Sequence, residues 1–120
     1  MFESKKKTVL IGTGMVGMSF AYAALNQDLC DELVLIDIDK KRAIGEAMDL
    51  NHGIAFSRSS IKIYAGDYSD CKDADVVVIC AGANQKPGES RLDLLKRNYE
   101  VFKSIVPAVI QSGFEGIFVV

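Results

Sequence analysis

Two apolar patterns alternate along the chain. Thr8-Val9-Leu10-Ile11 and Leu33-Val34-Leu35-Ile36 are short β-prone runs, stopped by Gly12 and Asp37 respectively. Ile61-Lys62-Ile63-Tyr64 alternates apolar with polar, as a more exposed strand does. Asp75 to Cys80 is an apolar run ending at Ala81-Gly82, and Gly116 to Val120 starts a fifth. Between these runs the apolar spacing changes to three and four. Met15 to about Asn26 predicts a helix with few charges, expected to be largely buried, with Phe20 and Tyr22 in the core. Lys40 to about Asn51 predicts an amphipathic helix through Ala43, Ala47 and Leu50. The longest pattern places Leu92, Leu95, Tyr99, Phe102, Val106 and Val109 on one helical face. Pro107, which has no N–H to donate, is expected to kink that helix, and Gly113 to stop it.

Strand–helix alternation with nearly continuous apolar strands predicts a parallel sheet covered on both faces. Right-handed crossovers then make the α/β fold doubly wound. A chain of 120 residues holds one ordinary domain. Fourteen Lys+Arg against sixteen Asp+Glu give a net charge of −2, which excludes a strongly basic nucleic-acid module. The run Lys5-Lys6-Lys7 reads as a solvated tail. No apolar stretch reaches the roughly 18–20 residues a membrane span needs, and the N-terminus has no signal-peptide core. Cys30, Cys71 and Cys80 form no C-x-x-C pair and read as reduced residues of a cytosolic protein, with no metal site. Cys80 in particular reads as a small apolar filler. The pattern ends inside an apolar strand, as in a domain cut from a longer protein.

Chemistry enters at the first turn. Gly12-Thr13-Gly14-Met15-Val16-Gly17 is a G-x-G-x-x-G that follows a strand pattern and opens a helix. In that context Gly12 permits a tight turn, Gly14 lets backbone approach a pyrophosphate, and Gly17 lets helix and strand pack closely. The amides around Met15 and Val16 then face the phosphates with the favourable end of the helix dipole. Asp37 closes the second strand twenty residues after Gly17, where an acid that accepts ribose hydroxyls belongs. A carboxylate there repels a 2′-phosphate and favours NAD over NADP, although Arg42 lies close in sequence. The competing reading is a glycine turn between buried elements, with Asp37 as a helix cap.

The polar loop from Ala83 to Ser90 leaves the fourth strand at the end where doubly wound folds bind ligands. Gly82 allows close approach of a cofactor, and Pro87-Gly88 makes a turn that could let the segment act as a lid. Arg91 is a fixed positive charge with forked donors, suited to polarising a carbonyl. Gln85 offers a neutral donor and acceptor for the far end of a substrate. The competing reading is a solvated loop with Arg91 and Glu89 as an exposed ion pair. His52, the only histidine, is more simply structural than catalytic.

Taken together, Gly12 to Gly17, Asp37, the run Glu46-Ala47-Met48-Asp49-Leu50-Asn51-His52-Gly53, and the Gly82 to Arg91 loop continuing into Leu92 and Asn98 resemble NAD-dependent L-lactate dehydrogenases. Malate dehydrogenases of the same superfamily share the architecture. The resemblance implies a Rossmann NAD-binding domain over residues 1–120, truncated in or after the fifth strand, with the substrate domain absent. It places Gly12, Gly14, Met15, Val16 and Gly17 on the pyrophosphate, Asp37 on the adenosine ribose and Arg42 near the adenosine. Tyr68, Gly82 and Ala83 line the cofactor cleft, and Ser104 approaches it from the last helix. Arg91 matches the mobile-loop arginine that polarises the ketone of pyruvate. Gln85 matches the position where glutamine suits pyruvate and arginine suits a second carboxylate. The acid/base histidine, its aspartate and the arginine that binds the substrate carboxylate lie further along in the family, so the isolated chain is expected to be inactive. His52 matches a different motif, with a packing or subunit-interface role. The implied partners are a 2-oxo or 2-hydroxy acid and, for the full-length enzyme, three further copies in a cytoplasmic homotetramer; neither nucleic acid nor membrane is expected. A malate dehydrogenase-like enzyme and a non-catalytic nucleotide-binding module are the alternatives.

Overall fold

The computed structural model describes residues 6–120. Lys5 therefore lies outside the described residues. Five strands, β1 (Lys7–Ile11), β2 (Glu32–Ile36), β3 (Lys62–Ala65), β4 (Val76–Ile79) and β5 (Ile117–Val119), form one sheet in the order β3-β2-β1-β4-β5. Every pairing is parallel. Parallel neighbours need long crossovers. Helices α1 (Met15–Asn26), α2 (Lys40–Ile54) and α3 (Arg91–Gln111) supply three of them, and a short 3-10 turn spans Tyr68–Cys71.

Successive side chains of a strand point to opposite faces, so each central strand feeds two cores. Leu10, Leu33, Leu35 and Val78 pack under α1 and α2 with Ala21, Leu25, Ala43, Ala47 and Leu50. Val9, Ile11, Val34, Val77 and Ile79 pack on the other face, against Ile105 and Val109 of α3 and against Cys71. β3 and β5 are the edges, and β5 is exposed along its whole length. Gly113, at φ +96°, ends α3 as its position predicts.

Three expectations need correction. Lys7 is no solvated tail: it opens β1, is buried, and its Nζ donates to Asp73 at 2.7 Å. Helix α1 is buried only along Gly17, Ala21, Ala24 and Leu25; Met15, Val16 and Tyr22 are exposed. Only one stripe of a helix can face a sheet, and small residues form that stripe here. On α3 the expected face splits, with Val109 buried and Phe102 and Val106 half-buried, while Leu92, Leu95 and Tyr99 face outward. The buried residues of α3, Ile105 and Val109, lie in its C-terminal half, where the helix meets the second core. Helix α3 continues past Pro107 to Gln111. The proline removes one donor near the C-terminal end, a loss the remaining turns tolerate.

Candidate functional site

β1 lies between β2 and β4, so chain connections leave it in opposite directions and open a crevice at the C-terminal ends of β1 and β4. The sheet brings most of the candidate residues to that edge. Gly12 follows β1, Asp37 follows β2, Tyr68 follows β3, and Gly82 and Ala83 follow β4.

The three glycines of the first turn answer to different constraints. Gly12 has φ +102°, and a Cβ there would sit 2.5 Å from the Ala81 amide nitrogen. That contact joins the turn to the exit of β4. A Cβ on Gly17 would stand 1.9 Å from the Gly12 carbonyl oxygen, so this glycine is what lets α1 leave so close to β1. Gly14 is unlike both. Its φ of −74° suits any residue, and a Cβ on it would meet nothing within 4 Å. The fold has no use for a glycine there.

Gly14 also caps α1 without a side-chain acceptor. The first-turn amides of Met15, Val16 and Gly17 have no intrahelical partner. Met15 and Val16 are 88% and 71% exposed, which leaves this helix end open to a ligand. These residues fit a dinucleotide: bare amides, a positive dipole end and room for a phosphate at Gly14.

Asp37 faces the turn from the end of β2. Its Oδ2 accepts from the Thr13 amide at 2.8 Å and the Thr13 hydroxyl at 2.7 Å, and its Oδ1 accepts from the Asp39 amide at 2.9 Å. Burial opposes ionisation of Asp37. The hydrogen bonds from Thr13 and Asp39, with the charge of Arg42, outweigh it and hold the carboxyl below its ordinary value. Asp37 does not cap α2. That role belongs to Asp39, which accepts from the Arg42 amide at 3.2 Å. Arg42 itself is exposed on the first turn of α2.

The loop after β4 is tied to α3. The Ala83 amide donates to Asn98 Oδ1 at 2.8 Å, and a Cβ on Gly82 would meet only that oxygen, at 3.5 Å. Lys86-Pro87-Gly88-Glu89 closes a turn with Gly88 at φ +77° and the Glu89 amide on the Lys86 carbonyl. The ion pair of Arg91 with Glu89 that belonged to the competing reading of this loop is not formed. Glu89 is bound by Arg97, whose Nη1 lies 2.6 Å from Oε2 and also donates to the Asn84 carbonyl. Arg97 sits nearly two turns into α3, where its Nη1 reaches both ends of the loop, and it holds the Glu89 carboxyl below its ordinary value. Arg91 is exposed and forms no ion pair among the described residues. Gln85 is exposed, and its Nε2 donates to the Glu89 carbonyl at 2.7 Å.

Tyr68 opens the 3-10 turn half-buried against the second core, and burial raises its phenol pKa. Ser104 is exposed on α3. His52 lies in the last turn of α2, roughly 18 Å along the helix from its start, in a shallow groove with Arg42, Glu46, Met48 and Asp49. The helix carries it away from the crevice. Cys80 adjoins Gly17 and burial raises its pKa, which suits a filler and not a nucleophile. Thr13, Asn98, Glu89 and Arg97 are the structural partners that spacing alone did not reveal. Asn98 had a signal, since it falls seven residues after Arg91 and so on the same face of α3.

A parallel sheet with this strand order, carrying a glycine turn at β1 and an acid at the end of β2, defines a dinucleotide-binding domain. Residues 6–120 match the family model described as lactate/malate dehydrogenase, NAD binding domain, and the chain belongs to that family. It is 60% identical over 118 residues to an L-lactate dehydrogenase of Geobacillus sp. (strain WCH70), covering 98% of this chain and 37% of that protein. Against an L-lactate dehydrogenase of Bacillus velezensis it is 57% identical over all 120 residues, which span 38% of the relative. Among solved structures, a lactate dehydrogenase from a Medee basin deep-sea metagenome superposes with a TM-score of 0.90 at 60% identity, with 95% and 36% of the two chains covered. The minor L-lactate dehydrogenase of Enterococcus mundtii in its ligands-bound form gives 0.93 at 48% identity, with the same coverage. The chain thus spans a little over a third of the length of these relatives.

Proposed function

We propose that this chain is the NAD-binding portion of an L-lactate dehydrogenase, an enzyme that interconverts pyruvate and L-lactate. The observation that carries the reading is Gly14: a glycine that no contact of the fold requires, beside bare amides at the start of α1 and opposite the ionised Asp37. Its missing side chain is room for a pyrophosphate. Asp37 takes the adenosine ribose, its negative charge disfavours a 2′-phosphate, and Arg42 lies on the adenosine side. Tyr68, Gly82, Ala83 and Ser104 complete the cleft.

When bound, the nicotinamide supplies or accepts the hydride at the substrate carbon. Arg91, at the first turn of α3, donates to the substrate oxygen and stabilises the negative charge that grows there. Gln85 meets the other end of the substrate. A neutral amide tolerates the methyl of pyruvate, and it cannot compensate a second carboxylate as arginine can. The proton donor belongs to the remaining part of the enzyme, which acts in the cytoplasm as a homotetramer. Residues 1–120 then form the cofactor domain, and alone they bind NAD without turnover. Calorimetric titration of the chain with NAD and NADP, beside a pyruvate/NADH assay, tests this. Selective NAD binding without turnover is the expected result. Turnover by the isolated chain, or no preference for NAD, contradicts it.

A further inference from the structure

We propose that Thr13 is the positioning residue that fixes Asp37 for the cofactor and so sets the preference for an unphosphorylated ribose; this rests on the NAD-binding reading above. A carboxylate has about four acceptor positions, two on each oxygen. In Asp37 both positions of Oδ2 are filled by one residue, Thr13, through its amide at 2.8 Å and its hydroxyl at 2.7 Å. Oδ1 receives the Asp39 amide at 2.9 Å, and one position on it remains for a ribose hydroxyl. The carboxylate is thereby held at both ends, with a single defined opening.

Thr13 can do this because it is fully buried between two glycines of the turn. A buried hydroxyl must find an acceptor, and Asp37 is the one it has. The bond ties the end of β2 to the turn after β1, the two places that hold the sugar and the phosphates. It also keeps Asp37 charged and stationary, and a fixed negative charge discriminates against a 2′-phosphate more strongly than a mobile one that can turn away. Thr13 touches no ligand itself. It acts through Asp37.

The test uses three variants of this chain, Thr13→Ser, Thr13→Ala and Thr13→Val, with calorimetric titration of NAD and NADP. Serine and alanine both lose the methyl and differ from each other only in the hydroxyl, whereas valine keeps the shape and loses the hydroxyl. The serine variant is expected to bind NAD within about twofold of the parent. The hydroxyl-free variants are expected to bind NAD about tenfold more weakly, as for loss of one hydrogen bond to a charged group, and to bind NADP nearly unchanged. The NAD/NADP ratio therefore narrows, a change that general loosening of the turn, affecting both dinucleotides alike, does not produce. If either hydroxyl-free variant folds and keeps the parent ratio, the proposal fails. So does it if serine behaves like alanine. A folded parent that binds neither dinucleotide overturns the NAD-binding reading itself, and this proposal with it.

Discussion

Alanine substitutions at Gly14 and Gly17 are expected to separate binding from folding within one four-residue stretch. At Gly17 the new Cβ would stand 1.9 Å from the Gly12 carbonyl oxygen, a backbone atom that cannot rotate away. Helix α1 must then move off β1, and Gly17 lies at the buried start of that contact. Overpacking of this severity is expected to destabilise by at least about 3 kcal/mol, a large share of the roughly 5–15 kcal/mol available to a small domain. At Gly14 the Cβ meets nothing within 4 Å and the backbone is already at φ −74°. Alanine is a poorer N-cap than glycine by roughly 1 kcal/mol, and the reduced freedom of the unfolded chain returns about 0.4–1 kcal/mol. The two nearly cancel. The methyl group does occupy the approach to the amides of Met15 and Val16, and hydrogen bonds to a charged ligand contribute about 1.5–3 kcal/mol each. Gly14→Ala should therefore unfold at the parent urea midpoint, within about 1 kcal/mol, yet bind NAD at least about tenfold more weakly. Urea unfolding and NAD calorimetry on both variants provide the check. A Gly14→Ala variant with full NAD affinity refutes the claim that this glycine makes room for a phosphate.

Three further outcomes are expected. The Lys7 ammonium is buried, which opposes its charge, but the hydrogen bond and charge of Asp73, with Glu32 and Asp70, raise its pKa above the ordinary 10.5. Its contribution to stability is complete below pH 10.5 and is lost as pH rises through the raised value. Lys7→Met should remove that alkaline loss and cost no more than about 1–2 kcal/mol at neutral pH, because Asp73 is exposed and keeps its solvation; urea melts at pH 7 and above 10.5 test both parts. Arg97→Gln should leave the melt within about 0.5 kcal/mol, while amide exchange at Lys86, which donates to the Glu89 carboxylate at 2.9 Å, accelerates severalfold. Unchanged exchange would mean that the ion pair does not hold the loop. In a full-length enzyme that contains this chain, Gln85→Arg should shift kcat/KM from pyruvate toward oxaloacetate, by two charge-assisted bonds or about a hundredfold, and no shift means that the position has been misread.

How much was legible depends on what the sequence pattern encodes. The runs at Val9, Leu33 and Val77 are buried on both faces, so their near-continuous apolar character marks strands of a covered parallel sheet directly. The glycine turn and Asp37 were legible because a G-x-G-x-x-G and an acid about twenty residues beyond it form a recognisable spacing along one strand–helix–strand unit. Burial was less legible. Periodicity locates the face of a helix but not how far along that face a neighbour extends, and Leu92, Leu95 and Tyr99 continue the stripe where the helix is exposed. Lys7 looked like part of a tail because charge ordinarily marks solvent. Its partners are contributed by distant segments, at Asp70 and Asp73. The same reason hid the bonds from Thr13 to Asp37 and from Arg97 to Glu89. Each joins two elements whose approach exists only after the sheet and helices assemble.

The central claim is that the open start of α1 is the seat of a dinucleotide diphosphate. Amide chemical shifts of Met15 and Val16 in the folded chain, followed as NAD is added to saturation, measure this most directly. Large shifts at those two amides, accompanied by Thr13 beside Asp37, are the predicted result. If NAD binds while these resonances stay in place, or if saturating NAD moves nothing, the account is contradicted.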